Sequence, residues 1–470
     1  MLNRVRLSVS APRASLTNLL VVAALVTGCA HRTAPTVAVS TALPPGEPVA
    51  PIDIGGACKR TVDVANAAAL ASALTAAAPG DCLVLADGDY KFPEITQSGT
   101  AEAPIQIRAA HRLRAVIREG WLVFASNSYV VVEGLTFASA DGIKFRDAHH
   151  CRLTRCRISP SDTPKVEWVD VQTESHHIRV DHCDFGPKSH VGNMVMLGGK
   201  NGQVVQHNQI DHNYFHDIQY GGGNGWETIR AGLSFLAPSR AFSVIEYNLF
   251  QNTGGDPETI SIKSSDNEIR YNTFRHVPGQ LTLRHGNRNH VYGNYIIDGE
   301  GGMRICGSEH LIYNNYVANV KSKWGIWLEG GDGDGIDVPG KQHYRVYRTK
   351  VVNNTVVGNT IKVGGGHPLE PVDCTIANNL SAGIEEGGTG TSYAGNVTDA
   401  RVPVEGKIEK LATGSPAIGA EVGSYDFVKD DIDGQARGGT TKLDVGADQI
   451  SNAPVLHRPL TEADVGPDAP

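Results

Sequence analysis

The feature that most constrains this chain is a repeat. Short segments recur from residue 132 onward: VEGLTF, LTRCRI, VDHCDF, IDHNYF, IEYNLF, IRYNTF, VYGNYI, IYNNYV, VVNNTV and IANNLS. Each has a β-rich start, a turn residue, then an apolar or aromatic residue. The turn residues are Gly134, Cys156, Cys183, Asn213, Asn248, Asn272, Asn294, Asn315, Asn354 and Asn379. Their spacing has a floor of 21, between Asn294 and Asn315, and reaches 39, between Asn315 and Asn354. A fixed floor with loop-sized excursions is what a solenoid gives, because one coil cannot bury its apolar face alone and stacking buries a continuous core. The reading is all-β: a single-domain, right-handed parallel β-helix with an N-terminal helical cap. Asparagine tolerates left-handed backbone and its amide can bond to the coil above. Phe185, Phe215, Phe250, Phe274 and Ile296 are expected to stack inside. The leucine framework of leucine-rich repeats is missing, as are the blade signatures of a propeller.

The ends differ from the repeat. Arg4, Arg6 and Arg13 precede a short apolar run, Leu16 to Val26, which is too short to span a bilayer. It ends in Val26-Thr27-Gly28-Cys29, which resembles a bacterial lipobox. Residues 1–28 read as a lipoprotein signal peptide, Cys29 as the lipidated residue, and 29–57 as a tether. The protein is expected to be exported, as an outer-membrane lipoprotein or in the periplasm, held to the membrane by its lipid anchor. Residues 58–451 form the β-helix domain, and 452–470 read as a disordered tail. Cys58 and Cys82 flank a helix-like stretch, 66–78, and can staple the cap; export permits disulfides. Cys156 and Cys183 hold equivalent positions, so they stack or bridge. The formal charge is −8, and losing residues 1–28 removes three arginines and no acid, giving −11. No Lys/Arg run points to nucleic acid.

Polar residues in register carry the chemistry. Arg230, Lys263, Arg284 and Arg304 follow one another at coil spacings and are expected to form a ladder up one face. Adjacent coils lie about 4.8 Å apart, so such cations need acids or an anionic ligand beside them. Asn224, Glu227, Asp256 and Glu258 sit just before two of them. Their oxygens are hard ligands suited to Ca²⁺. Lys188, in Gly-Pro-Lys-Ser-His, and His285 are further candidates for the groove. Residues 329–337, EGGDGDGID, match a calcium loop in composition only.

Asn224-Gly-Trp-Glu-Thr-Ile-Arg, Asp256-Pro-Glu-Thr-Ile-Ser-Ile-Lys263 and Leu283-Arg-His-Gly286 resemble the signature segments of polysaccharide lyase family 6, which contains alginate lyases and chondroitinase B. The resemblance is strong over 176–317 and looser over 58–450. It implies that Asn224, Asp256 and Glu258 bind Ca²⁺, that Lys263 is the general base and that Arg284 is the acid. The family usually has Glu where Asp256 stands. Arg230, His285, Arg304 and Lys188 would then bind substrate, an anionic polysaccharide such as alginate. β-Elimination removes the C5 proton of a uronate and expels the 4-linked oxygen; a cation on the carboxylate stabilises the enolate-like intermediate. Guanidinium hardly deprotonates, so Arg284 can instead stabilise the leaving oxygen while water protonates it. The alternatives are a chondroitin or dermatan sulfate lyase, and a non-catalytic polysaccharide-binding surface protein. A polygalacturonase-like hydrolase needs clustered aspartates instead of cations.

Overall fold

The computed structural model describes residues 54–470 except 220, 222, 336–341, 399–409, 413 and 439–441. The signal segment, Cys29 and the tether up to residue 53 lie outside the described residues.

The chain winds into a parallel β-solenoid of about 13 turns, consistent with a right-handed β-helix. One face is a 14-stranded parallel sheet running in chain order from Arg60–Val64 to Ser392–Ala394. The other two faces join into a single sheet because Thr355–Val363 serves both. Its Thr355 to Val357 pairs with Tyr316–Ala318, and its Thr360 to Val363 pairs with Trp324–Leu328. A typical coil is therefore three short strands, such as Glu268–Arg270, Thr273–Arg275 and Gln280–His285.

The repeat has a two-part cause. Asparagine carbonyls form a ladder along one corner: Asn294 Oδ1 accepts from both the backbone N–H (3.1 Å) and the side-chain amide (3.0 Å) of Asn272. The Asn272 amide also donates to Ile245 O at 2.8 Å. The pattern runs from Asn213 to Asn396 and satisfies buried backbone groups that a corner would otherwise orphan. The left-handed residue is not the asparagine itself, as expected, but the one before it. His212, Tyr247, Tyr271, Gly293, Asn314, Asn353 and Asn378 all have φ between 50° and 65°. Gly134 belongs to that column, since Glu133 pairs with Thr154 and Thr136 with Arg157. Cys156 and Cys183 occupy early ladder positions as stacked free thiols; Cys156 N–H meets Cys183 Sγ at 3.4 Å.

Inside, Phe185, Phe215, Phe250 and Phe274 stack with centroids 4.7, 5.0 and 4.6 Å apart, and Ile296 continues the column. Each such buried ring contributes about 1.5–3 kcal/mol. At the N-terminal end a helix, Ala67–Thr75, is capped by the Asn66 side chain, which accepts from Ala69 N–H at 3.0 Å. It buries Leu70 and Leu74 over the first coil, and a Cys58–Cys82 disulfide staples it.

The C-terminal segment corrects the sequence reading. Residues 452–470 do not form a disordered tail. After residue 410 the chain turns back along the solenoid. Ala417 and Val445 pack on Leu380, Ile432 and Ala447 on Tyr295 and Tyr316, and Leu460 and Val465 on Leu249. Arg112 and Arg155 then hold Pro467 O, both at 2.8 Å. The strap covers apolar side chains of many coils, which no local pattern in its own sequence announces.

Candidate active site

The third face, from Trp121–Ala125 to Trp324–Leu328, carries a groove of about 700 Å³. Alternation sets which side chains reach it. Ile229 and Ala231, Ile260 and Ile262, Leu281 and Leu283, and Met303 and Ile305 point into the core. Arg230, Ser261 with Lys263, Thr282 with Arg284, and Arg304 are left facing outward.

The four cations share this face but are not a single-file ladder. Strand pairing aligns Arg230 with Ser261, Thr282 and Arg304. Lys263 pairs with Gly232 and His285, because a bulge after Ile262 leaves Arg284 as the extra residue. The cations thus form two short columns two residues apart. The offset widens their separation, and acids lie between them.

Glu227 is fully buried and accepts from Lys263 Nζ at 3.1 Å. Its other oxygen takes the Asn193 amide at 2.9 Å. Burial pushes its carboxyl up, but Lys263 and Arg230 outweigh this and hold it below the usual range. Sequence reading noticed Glu227 without giving it this role, and missed Asn193 altogether, since a single Asn in a loop carries no pattern. Glu258 pairs with Arg304, accepts from Ser261 Oγ, and lies 3.6 Å from Arg284 Nε. Arg284 Nη1 is buried and has no hydrogen-bond partner among the described residues. It is a donor left for a ligand.

Asp256 accepts from Glu258 N–H at 2.6 Å and from Gly225 and Trp226 N–H at 3.1 and 3.3 Å. Its carboxyl is nevertheless pushed up to about 6, by burial and by the neighbouring Glu227 and Glu258. Negative charge is in local excess there, and Asn224 lines the same groove. The donor set of Asn224, Asp256 and Glu258 therefore fits a hard cation.

His285 is buried and lines the groove, with its Nε2 2.8 Å from Gln342 O. Arg230 reaches Glu167 at 3.6 Å and also lines it. Lys188 is a correction. It is only 1% exposed, its ammonium 3.3 Å from Asp162 and over the Trp168 ring. It holds its own loop and does not reach the groove.

A family model described as chondroitinase B matches residues 64–382. Among solved structures, a mannuronic acid specific family 6 polysaccharide lyase from human gut microbiota is 27% identical. Its TM-score is 0.63, over 71% of this chain and 87% of that one. The family 6 alginate lyase AlyGC is 24% identical with a TM-score of 0.69, over 86% of this chain and 58% of that one. The family 6 lyase Pedsa3628 from Pseudopedobacter saltans is 22% identical with a TM-score of 0.67, over 87% of this chain and 99% of that one. These last two likenesses speak for the fold. No curated protein matches the chain.

Proposed function

The chain belongs to polysaccharide lyase family 6, the family of chondroitinase B, and we propose that it cleaves alginate by β-elimination at the groove described above. One observation carries the reading: Lys263 and Arg284 stand side by side on the groove floor, within a ring of buried carboxylates. The gut-microbiota lyase with 27% identity acts on mannuronic acid, which favours alginate over dermatan or chondroitin sulfate.

In this reading Lys263 takes the C5 proton on its Nζ. The ammonium that forms faces Glu227 Oε1 at 3.1 Å, so the charge appearing on nitrogen meets a preorganised partner. Asn193 fixes Glu227 from the other side. Arg284 offers its open Nη1 to the leaving 4-linked oxygen, stabilising the developing alkoxide until water protonates it. Arg230 and Arg304 flank these two and grip neighbouring uronate carboxylates. Calcium held by Asn224, Asp256 and Glu258 would neutralise the reacting carboxylate. Lipid anchoring at Cys29 and export to the outer membrane or periplasm belong to the same proposal, since a lyase for an external polymer must meet it outside the cytoplasm.

The test is a comparison of alginate, dermatan sulfate and pectate, with and without a calcium chelator, followed by mass analysis of the products. Unsaturated oligouronates from alginate alone, suppressed by chelation, are expected. Unsaturated disaccharides from dermatan sulfate would replace alginate with the sulfated polymer. Polymer binding without any product would favour the non-catalytic surface protein.

A further inference from the structure

At the edge of the groove, which His343 helps to line and where Glu329 lies 3.9 Å from Arg304 Nε, four side chains converge to which the elimination gives no role. Cys306 follows Met303–Ile305, and Glu329 follows Trp324–Leu328. His367 lies four residues past Thr355–Val363. Ile305, Leu328 and Val363 are paired in register, so these three residues leave the same edge of successive coils. His343 arrives from the excursion after Leu328, where Asp332 and Gly333 N–H donate to its carbonyl at 2.9 and 3.1 Å.

Cys306 Sγ and His343 Nδ1 each lie 3.2 Å from Glu329 Oε2. His367 Nε2 lies 3.7 Å from Glu329 Oε1, and the two imidazole rings are 4.1 Å apart. Tetrahedral zinc, with bonds of about 2.0–2.3 Å, sets its ligand atoms roughly 3.3–3.7 Å from one another. Measured from Glu329, the other three ligand atoms already have nearly that spacing; Cys306, Glu329 and His343 lie within 4.8 Å of one another, and His367 approaches from outside that trio. An ordinary buried polar knot closes its hydrogen bonds. This one does not: His343 Nδ1 is buried and makes no hydrogen bond among the described residues, despite its closeness to a carboxylate.

We propose that Cys306, Glu329, His343 and His367 bind a borderline divalent cation of the zinc type. The thiolate and imidazoles separate this site by softness from the all-oxygen set of Asn224, Asp256 and Glu258. Its consequence is mechanical. The cation joins three coils to the loop carrying His343, and the adjoining Gln342 carbonyl holds His285 on the groove wall at 2.8 Å. The site stands whether or not the polymer is alginate.

The test uses the full chain, stripped of metal and then given excess Ca²⁺ so that hard-cation sites are filled. Zn²⁺ is titrated by calorimetry and Co²⁺ by absorbance. One Zn²⁺ per chain and a thiolate-to-cobalt charge-transfer band are expected. Cys306→Ser should abolish the band. His367→Ala, at a partly exposed position that leaves the core intact, should weaken Zn²⁺ by more than about 100-fold, beyond what outer-shell changes cost. His177→Ala, in the separate histidine stack on another face, should leave binding unchanged. Absence of stoichiometric Zn²⁺ binding, or binding that survives either Cys306→Ser or His367→Ala, would overturn the proposal.

Discussion

Two parts of the same coils obey opposite rules. Along the asparagine corner every rung repeats its neighbour, from Asn213 to Asn396, and each amide is satisfied by the next. Along the groove the repeat is broken between Lys263 and Arg284, the two residues proposed to carry the chemistry. A bulge follows Ile262, Arg284 is the extra residue, and Arg284 Nη1 is left without a partner among the described residues. Where hydrogen bonds close on themselves, the protein gains stability and one register. Where they stay open, it keeps donors for an anion. The difference predicts that damage at the corner reads out as unfolding, and damage in the groove as lost turnover.

The largest separation is expected at Arg284. Arg284→Ala should lower kcat by about 10²–10³, the range for losing one oxyanion donor, and thermal melting should move little because the side chain closes no repeat. A large fall in melting temperature would place Arg284 with the scaffold. Asn294→Ala is the mirror case. It leaves the buried Asn272 N–H without its acceptor and should cost about 3 kcal/mol in denaturant titration, while the folded fraction keeps normal kcat. The strap gives a weaker version of the corner. Leu460→Ala, at a seam on Leu249, should cost about 2 kcal/mol, again without changing turnover. If it left stability untouched, the strap would be decoration on the solenoid.

The smallest effect concerns pH and belongs to the groove alone. Asp256 is pushed up to about 6, so below that pH it is protonated and a cation must displace the proton. Calcium affinity should weaken by up to about tenfold per unit as pH falls below 6, and level off above 7. Calorimetry at several pH values checks this; in Asp256→Asn the dependence should vanish. Flat affinity in the parent protein would remove Asp256 from the ligand set.

The corner was legible in the sequence because its demand recurs: a buried N–H at every coil needs the same amide. The candidate groove residues could be picked out for a different reason, since Asn224, Asp256, Glu258, Lys263 and Arg284 sit in three segments that resemble the signature of one family, and the fold places them along one groove. What escaped depends on pairing between distant residues. The bulge after Ile262 arises only when two strands are laid side by side. The strap packs residues near 460 on residues near 249 and 214, with no periodicity of its own. Lys188 looked like a groove cation because a sequence shows charge and hides Asp162 and Trp168, which bury it. Cys306, Glu329, His343 and His367 have no metal-like spacing along the chain; the coils bring them together.

The most direct test of the central claim is absorbance of the unsaturated uronate formed from alginate, with polymer binding measured in parallel, for the parent protein and Lys263→Ala. The groove account predicts steady product from the parent, a loss of at least about 10³ in the variant, and unchanged binding in both. Product formation by Lys263→Ala at near-parental rate would contradict it, and would move the proton-abstracting group away from the break in the repeat.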